Sequence, residues 1–450
     1  MNDVASPARF AKTIGSPPDC AGQKPRIVIV GGGFAGLAVA HALRHADAGV
    51  LLIDRRNHHI FQPLLYQVAT AVLSPAEIAA PIRQLEVKQR NLNVLLAEVT
   101  GVDVAARTIG ASCPGVGVRK IAFDYLVVAT GMRPSYFGHD EFARYAPGLK
   151  SLSDAETIRT KILSAFELAE TTDDEGERTR QMTFVLVGAG PSGVELAASL
   201  AEMVRVTLRG NFRRIDPSKS AIILLDAGSR VLPTFVEPLS RRVTRRLTRL
   251  GVKVQTGVKV ETVDELGVVA GGMRIPSATV LWTAGVAASP IPKMLGTKTD
   301  RAGRALVDPF LRVVEAPEVF VVGDAASVMQ SERSEHPVPG VAQAAIQEGR
   351  FVGRLIANEL KGRSVKRPFR YFNKGDMAVV GKNYAVLERG SLRTSGFLTW
   401  LVWAFVHILS LPQLQNRLRV QRQWLWSYFT GERSSRLIAE PPQTPGAETR

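Results

Sequence analysis

Two short glycine-rich segments are the residues of this sequence whose types and spacing most clearly imply chemistry. The first, residues 31–36, reads Gly-Gly-Gly-Phe-Ala-Gly and follows an apolar run at residues 26–30. Glycines at 31, 33 and 36 permit a tight turn and the close approach of a pyrophosphate, and the N-terminus of the helix that follows supplies N–H donors. A second apolar run, residues 50–53, ends in Asp54, where a carboxylate accepts hydrogen bonds from a ribose hydroxyl.

The same layout recurs later in the chain. Residues 183–187 form a mainly apolar strand, residues 188–193 read Gly-Ala-Gly-Pro-Ser-Gly, and a further strand ends in Asp226. One glycine-rich turn is weak support for a nucleotide site, but two complete strand–turn–helix–strand units with terminal acids imply two bound nucleotides. The negative charge of Asp226 should repel a 2′-phosphate and so favours NADH over NADPH, although Arg230 lies close enough in sequence to weaken that preference.

The elements that must position these segments alternate between strands and helices with short turns. That alternation predicts an α/β fold with parallel sheets, in which two Rossmann-like dinucleotide-binding domains are arranged with the second inserted in the first. The predicted boundaries are a tail at 1–24, a split first domain at 25–150 and 300–375, a second domain at 151–299, a membrane-associating region at 376–435, and a tail at 436–450.

Composition narrows the function classes further. The 450 residues contain only two cysteines, Cys20 and Cys113, so neither a disulfide framework nor a cysteine-based metal centre is expected, and no metal site is predicted. Cys20 lies in the predicted tail and Cys113 in a predicted loop. With 57 Lys and Arg against 41 Asp and Glu, the net charge of +16 favours an anionic partner.

The C-terminal region has an unusual composition. Residues 397–411 are apolar but shorter than the roughly 20 residues that cross a bilayer. Residues 413–430 then combine arginines with Trp, Tyr and Phe and contain no acidic residue. A buried core helix explains only the first stretch, and no nucleic-acid-binding signature accompanies the second. An amphipathic anchor lying in the plane of an anionic membrane explains both, and no nucleic-acid partner is expected.

Several longer segments resemble one flavoprotein family. They cover nearly the whole chain between residues 26 and 429, and they are residues 31–36, 61–69, 129–131, 188–195, 281–286, 322–325 and 342–347. Together they resemble the type II NADH:quinone oxidoreductases, flavoproteins with two dinucleotide-binding domains. The segment Ala-Gln-Ala-Ala-Ile-Gln at 342–347 and the aromatic C-terminus are the more family-specific parts, since glycine-rich turns are shared across the superfamily.

The resemblance implies which nucleotide each unit binds. The first would bind FAD through Gly31, Gly33, Phe34, Ala35, Gly36, Asp54, Arg55, Thr130, Gly131, Gly323, Asp324 and Ala325. The second would bind NADH as substrate through Gly188, Gly190, Ser192, Gly193, Asp226, Ala284 and Gly285. Disulfide reductases of this superfamily need a cysteine pair soon after the first acid, and none occurs between Asp54 and Gly101.

The resemblance also implies three catalytic residues. Gln343 and Gln347 would lie beside the flavin at the quinone pocket, although positions i and i+4 share a helix face in any case. Glu195, expected in the first turn of a helix, would position the nucleotide and protonate the quinone. Its alternative role is that of a carboxylate favoured by the helix dipole.

These observations predict an enzyme that oxidises NADH through FAD and reduces a membrane quinone by two electrons without pumping protons. It is expected on the cytoplasmic face of a bacterial inner membrane as a peripheral protein, bound to anionic lipid through its C-terminal segment, and its sequence is compatible with a homodimer. The alternatives are an NADH-dependent flavoprotein that reduces oxygen or a soluble acceptor, and a membrane-peripheral flavoprotein that senses NADH.

Overall fold

The computed structural model describes residues 24–330 and 336–438. The chain divides into two compact units, each assembled from three stretches. Among the described residues, the first unit contains 24–59, Pro81–Arg133, 286–330 and 336–374; the second contains Ile60–Ala80, Pro134–Gly285 and 375–438.

A six-stranded sheet forms the centre of the first unit. From edge to edge its strands are Arg312–Val313, Ala316–Val321, Tyr125–Val128, Arg26–Val30, Gly49–Asp54 and Leu92–Leu96. All pairs are parallel except the first two strands. Four of the five residues of Arg26–Val30 are buried, as expected for a parallel strand covered on both faces.

The remaining elements of the first unit cover this sheet. The helices Phe34–Ala42 and Ala342–Glu359 pack against one another. A three-stranded antiparallel sheet consists of the strands Glu98–Asp103, Thr108–Cys113 and Gly117–Ala122. The shorter elements are Ile82–Lys88, Ile291–Met294, Ala305–Leu306, Gly323–Ala325 and Ala326–Ser327. The chain passes from one unit to the other within the short strands His58–Ile60, Ala79–Pro81 and Met132–Pro134, directly before the strand Val286–Ala288, and between Lys374 and Gly375.

A four-stranded parallel sheet forms the centre of the second unit, in the order Val252–Thr256, Ala221–Asp226, Thr183–Val187 and Thr279–Trp282. Two antiparallel sheets accompany it. Their strands are Val260–Asp264, Gly267–Ala270 and Met273–Pro276 in one, and Asp376–Val379, Ala385–Arg389 and Leu392–Gly396 in the other.

The helices of the second unit include the last two helices of the described chain. In order they are Gln62–Leu64, Leu65–Ala69, Pro75–Ile78, Asp140–Arg144, Leu152–Thr171, Glu175–Gln181, Pro191–Glu202, a π-turn at Met203–Thr207, Pro217–Lys219, Glu237–Arg249, Phe397–Ser410 and Leu414–Thr430. Local chemistry fixes some ends. Ser151 Oγ accepts from Asp154 N at 3.1 Å while Asp154 accepts from Ser151 N, a capping box that begins the Leu152–Thr171 helix.

The two parallel sheets confirm the predicted α/β class and its duplicated dinucleotide-binding unit, and residues 134–285 of the second unit lie in sequence between stretches of the first. Several details differ from the sequence interpretation. The segment Ile60–Ala80 and residues 134–150 belong to the second unit rather than the first, and residues 286–299 belong to the first rather than the second. Residues 376–435, predicted as a separate region, are part of the second unit. Cys113 is not in a loop but is buried at the end of the strand Thr108–Cys113, because its side chain packs into the core; Cys20 lies outside the described residues.

Candidate functional site

The first glycine loop, residues 31–36, has no room for side chains at two positions. A Cβ on Gly31, whose φ is +107°, would lie 2.4 Å from the carbonyl oxygen of Ala129, and one on Gly36 would lie 1.8 Å from the carbonyl oxygen of Gly31. A Cβ on Gly33 would meet nothing within 4 Å. The loop therefore packs tightly on the sheet while leaving open space before the helix Phe34–Ala42, the arrangement that admits a pyrophosphate.

Asp54 secures this loop from the end of its strand. One carboxylate oxygen accepts from Gly32 N at 2.6 Å and the other from Arg56 N at 2.8 Å. The predicted strand-end acid is therefore in place beside the loop. Arg55 is exposed, and its guanidinium lies 3.7 Å from the Glu98 carboxylate.

Other predicted residues of the first unit lie at the ends of neighbouring strands. Thr130 Oγ1 lies 2.5 Å from Ser289 Oγ, and Gly131, with φ of +64°, accepts from Ser289 N at 3.2 Å. Gly323 and Asp324 form a short turn after the strand Ala316–Val321, and Ala325 is buried. Because parallel strands share one carboxyl edge, these segments and the first glycine loop lie along the same edge of the sheet.

A buried carboxyl group lies next to this edge, and the sequence pattern does not reveal it. Glu348, in the helix Ala342–Glu359, accepts from Gly323 N at 2.6 Å and is 3% exposed. Burial raises the pKa of Glu348 to about 8, since desolvation outweighs its backbone hydrogen bond. On a helix with buried alanines and glycines at neighbouring positions, nothing in the sequence pattern distinguishes it from a surface glutamate.

The second glycine loop, residues 188–193, repeats the geometry of the first. A Cβ on Gly188, whose φ is +105°, would lie 2.5 Å from Ala284 N, and one on Gly193 would lie 1.8 Å from the carbonyl oxygen of Gly188. Gly190 faces open space and Ser192 is exposed at the start of the helix Pro191–Glu202. Of the other predicted residues, Ala284 lies directly against this loop, and Gly285 follows Ala284 in the sequence.

Asp226 occupies the position in the second unit that Asp54 occupies in the first. Its carboxylate accepts from Ala189 N at 2.5 Å and from Gly228 N at 2.6 Å. Arg230 forms no ion pair with this carboxylate; its guanidinium donates instead to the carbonyls of Phe235 and Pro233 at 2.6 and 2.8 Å. The two hydrogen bonds to Asp226 thus come from backbone N–H groups and not from Arg230.

Glu195 lies in the same helix as the second glycine loop, but not where it was predicted. The helix begins at Pro191, so Glu195 is beyond the first turn, and the helix dipole contributes little at this depth. Burial instead raises the pKa of Glu195 to about 8, opposed by one hydrogen bond from Val379 N at 3.3 Å. At neutral pH this carboxyl group retains its proton.

Gln343 and Gln347 both contact one short segment after their helix. The Gln347 amide donates to the carbonyl of Phe372 and accepts from Phe372 N, each at 3.0 Å. Gln343 Oε1 accepts from Lys374 N at 3.0 Å. The two amides therefore hold residues 372–374, an ordering role that accompanies any part they take in binding quinone.

Comparison with known proteins places this geometry in a family. The family model described as pyridine nucleotide-disulphide oxidoreductase matches residues 25–349. A type II NADH:quinone oxidoreductase of Mycobacterium tuberculosis (NdhA) is 43% identical over 434 residues, covering 94% of this chain and 91% of that protein. An internal alternative NAD(P)H-ubiquinone oxidoreductase of Arabidopsis thaliana mitochondria is 27% identical, covering 97% and 90% respectively.

A solved structure supports the same fold. NDH2 from Plasmodium falciparum in complex with NADH superimposes with a TM-score of 0.84 at 21% identity, covering 93% of this chain and 100% of that one. With matched glycine loops, strand-end acids and these relatives, the chain belongs to the pyridine nucleotide-disulphide oxidoreductase family and, within it, to the type II NADH:quinone oxidoreductases.

Proposed function

We propose that this chain oxidises NADH and passes the two electrons through FAD to a membrane quinone, without pumping protons. The observation that carries this proposal is the pair of glycine loops, each secured by a strand-end carboxylate, in a chain 43% identical to a type II NADH:quinone oxidoreductase. Two such units allow a resident redox cofactor and a nicotinamide substrate to be bound together.

The residues of the first unit fit FAD. The first glycine loop leaves open space at Gly33 and directs the N-terminus of Phe34–Ala42 toward it, which suits a pyrophosphate, and Asp54 can accept from ribose hydroxyls. The chemistry that FAD supplies when bound is two-electron exchange with a nicotinamide and with a quinone. The chain contributes orientation and exclusion of water.

The second unit fits NADH. Its loop repeats the phosphate-binding geometry, and Asp226 presents a carboxylate that hydrogen-bonds ribose hydroxyls but repels a 2′-phosphate. The Arg230 guanidinium is bound to loop carbonyls, which supports selectivity for NADH.

Glu195 is proposed as the proton donor for the reduced quinone. Because its pKa is raised to about 8 by burial, it holds a proton at neutral pH and can still release it. Gln343 and Gln347 are proposed to line the quinone pocket while ordering residues 372–374.

The C-terminal helices are proposed to hold the enzyme on the membrane. No helix within the described residues is long and apolar enough to span a bilayer. The helices Phe397–Ser410 and Leu414–Thr430 instead present a membrane face, which we define by its most exposed apolar side chains: Leu398, Phe405, Leu414, Leu418 and Phe429. Arginines at 417, 419 and 422 of the second of these helices would meet anionic headgroups. The cytoplasmic side of a bacterial inner membrane, where NADH is present, is the proposed location, and a homodimer stays a prediction.

A spectroscopic titration tests the function. Purified protein should carry flavin absorbance that NADH bleaches under anaerobic conditions and that a short-chain quinone restores. Bleaching without recovery on adding quinone would point to a different acceptor, and an absence of bleaching would contradict the NADH assignment.

A further inference from the structure

A seam of polar groups runs between two helices of the second unit. The helix Pro191–Glu202 contributes Glu195, Ser199 and Glu202, which lie on one face at positions i, i+4 and i+7. Opposite them, Thr70 Oγ1 lies 2.7 Å from Ser199 Oγ and donates to the carbonyl of Tyr66 at 2.8 Å. We call these five residues the polar seam.

A single arginine from the C-terminal segment closes the polar seam. Arg433 is 5% exposed, and its guanidinium donates to the carbonyl of Thr70 at 2.7 Å and to that of Ser199 at 2.9 Å. It therefore joins one helix to the other by two charge-assisted hydrogen bonds. Removing a charged guanidinium from water costs free energy, so the buried Arg433 needs partners that offset this cost.

The seam supplies those partners. Burial lowers the pKa of Arg433 to about 10, while the neighbouring side chains of Glu202 and Tyr66 act in the opposite direction. Glu202 accepts from Lys382 N, and burial raises the pKa of Glu202 against the nearby charges of Arg433, Arg246 and Lys382. Arg436, next along the same segment, is the remaining charged group facing Arg433.

The position of Arg433 relative to Glu195 gives it a role beyond packing. Ser199 is one helical turn after Glu195, so holding the Ser199 carbonyl fixes both the rotation and the axial position of that turn. The helix then continues into the π-turn Met203–Thr207, a feature often found at functional sites. Thr207 Oγ1 donates to the carbonyl of Gly431 at 3.0 Å, which ties the same C-terminal segment to the end of this helix.

The segment that carries Arg433 directly follows the helix Leu414–Thr430, which bears part of the membrane face. In the helix Leu414–Thr430, Asn416 Nδ2 donates to the carbonyls of Ala76, Glu77 and Ala79 at 2.8 to 3.1 Å. Trp424 Nε1 donates to Gln67 Oε1 at 2.7 Å. Arg433 is thus the last of three attachments between this helix with its extension and the segment Ile60–Ala80.

We propose that Arg433 is a positioning residue for quinone reduction, which holds the turn bearing Glu195 against the helix Leu65–Ala69 so that Glu195 can deliver its proton. This inference rests on the proposed role of Glu195. Glu195 and Arg433 share no hydrogen bond or ion pair, so the effect of Arg433 is exerted through the backbone of Ser199.

Steady-state kinetics of the full-length, FAD-loaded enzyme test this inference. In Arg433→Met, kcat with a short-chain quinone should fall about tenfold, while NADH oxidation by ferricyanide should stay at the wild-type level, because only the quinone step needs the proton. Glu195 is half-buried, and loosening of the seam should admit more water to it. The alkaline limb of the pH profile of quinone kcat should therefore move about half a pH unit or more toward acid. Arg433→Lys, which keeps the charge but not the two-pronged geometry, should recover part of both properties.

Arg213→Met, an exposed substitution with the same charge loss, should keep wild-type kinetics. A lower melting temperature of Arg433→Met would not distinguish a positioning role from a purely structural one, because loss of a purely structural arginine would lower it too. Wild-type quinone kcat and an unmoved limb in Arg433→Met would overturn the inference. If Glu195→Gln abolishes the limb while Arg433→Met leaves it unmoved, Arg433 alone is wrongly assigned. If Glu195→Gln leaves the limb in place, the proposed role of Glu195 is wrong and this inference falls with it.

Discussion

At the scale of single residues, burial rather than charge pairing sets the chemistry of the two most perturbed carboxyl groups. Glu195 and Glu348 each accept one backbone hydrogen bond, and in both cases desolvation raises the pKa to about 8. A carboxyl group in that range is half ionised just above neutral pH and can exchange protons with a substrate. Glu348 instead holds Gly323 at the edge of the first sheet, which suits an ordering role.

Replacing Glu195 by Gln tests the proton-donor assignment. The amide keeps an acceptor for Val379 N but carries no exchangeable acid, so quinone turnover should fall by more than about tenfold while NADH-driven flavin reduction changes little. In the wild type, quinone turnover should decline as pH rises through about 8, because the donor loses its proton. Stopped-flow and steady-state rates across pH measure both effects, with the exposed Glu175→Gln as control.

Asp226 carries the second residue-scale prediction. Asp226→Ser keeps a short polar side chain beside Ala189 N and Gly228 N but removes the negative charge, so the preference for NADH over NADPH should narrow, mainly through KM. The ratio of kcat/KM for the two nucleotides is the measurement. Equal use of NADPH by the wild type would contradict the role given to Asp226.

At the scale of elements, the first glycine loop depends on how closely two helices approach. Gly349 and Gly353 of Ala342–Glu359 face the helix Phe34–Ala42, and a Cβ on Gly349 would lie 2.3 Å from the carbonyl oxygen of Ala35. Side chains at these positions would push the two helices apart and so displace Phe34–Ala42, whose N-terminus would face the pyrophosphate. Helix contact and cofactor affinity should therefore change together.

Gly349→Ala tests this coupling. The added methyl meets backbone that cannot rotate away, so we expect a loss of about 1–3 kcal/mol in the free energy of unfolding and weaker FAD retention. Denaturant unfolding and FAD dissociation on dilution measure the two properties. Gly101→Ala, where a Cβ meets nothing within 4 Å, should leave both near wild type; equal loss in the control would remove helix approach as the cause.

The elements also show how far the sequence predicts this protein. The strands Arg26–Val30 and Thr183–Val187 were predicted with their observed bounds, because hydrophobic runs next to glycine turns carry a local signal. Arg433 carries no such signal, since its partner Thr70 is 363 residues away. The burial of Glu348 and Cys113 and the assignment of Ile60–Ala80 to the second unit likewise depend on tertiary packing that no local pattern encodes.

At the scale of the whole molecule, the C-terminal helices have two different faces. Trp403 and Val420 are buried, and Trp403 stacks on Trp424 with ring centroids 5.3 Å apart. Leu398, Phe405 and Phe429 are 75%, 64% and 80% exposed. The inner face is therefore part of the second unit's core, so removal of residues beyond about 395 would disturb the packing of that unit as well as the proposed membrane binding.

Substitutions confined to the membrane face give a cleaner test than truncation. The triple variant Leu398→Ser, Phe405→Ser and Phe429→Ser should keep FAD and NADH:ferricyanide activity but lose flotation with anionic vesicles, since apolar burial is the main term and headgroup attraction adds about 1 kcal/mol per arginine. High salt should weaken wild-type flotation without abolishing it. Equal flotation of variant and wild type would remove this face from the account.

The central claim, that quinone is the acceptor, is tested most directly by reoxidation of the reduced enzyme. Full-length protein is reduced anaerobically with one equivalent of NADH and mixed in a stopped-flow instrument with either a short-chain quinone or oxygenated buffer. The account predicts that flavin absorbance returns much faster with quinone than with oxygen and that the quinone rate supports steady-state turnover. Reoxidation by oxygen as fast as or faster than by quinone, or quinone reoxidation slower than turnover, would contradict it.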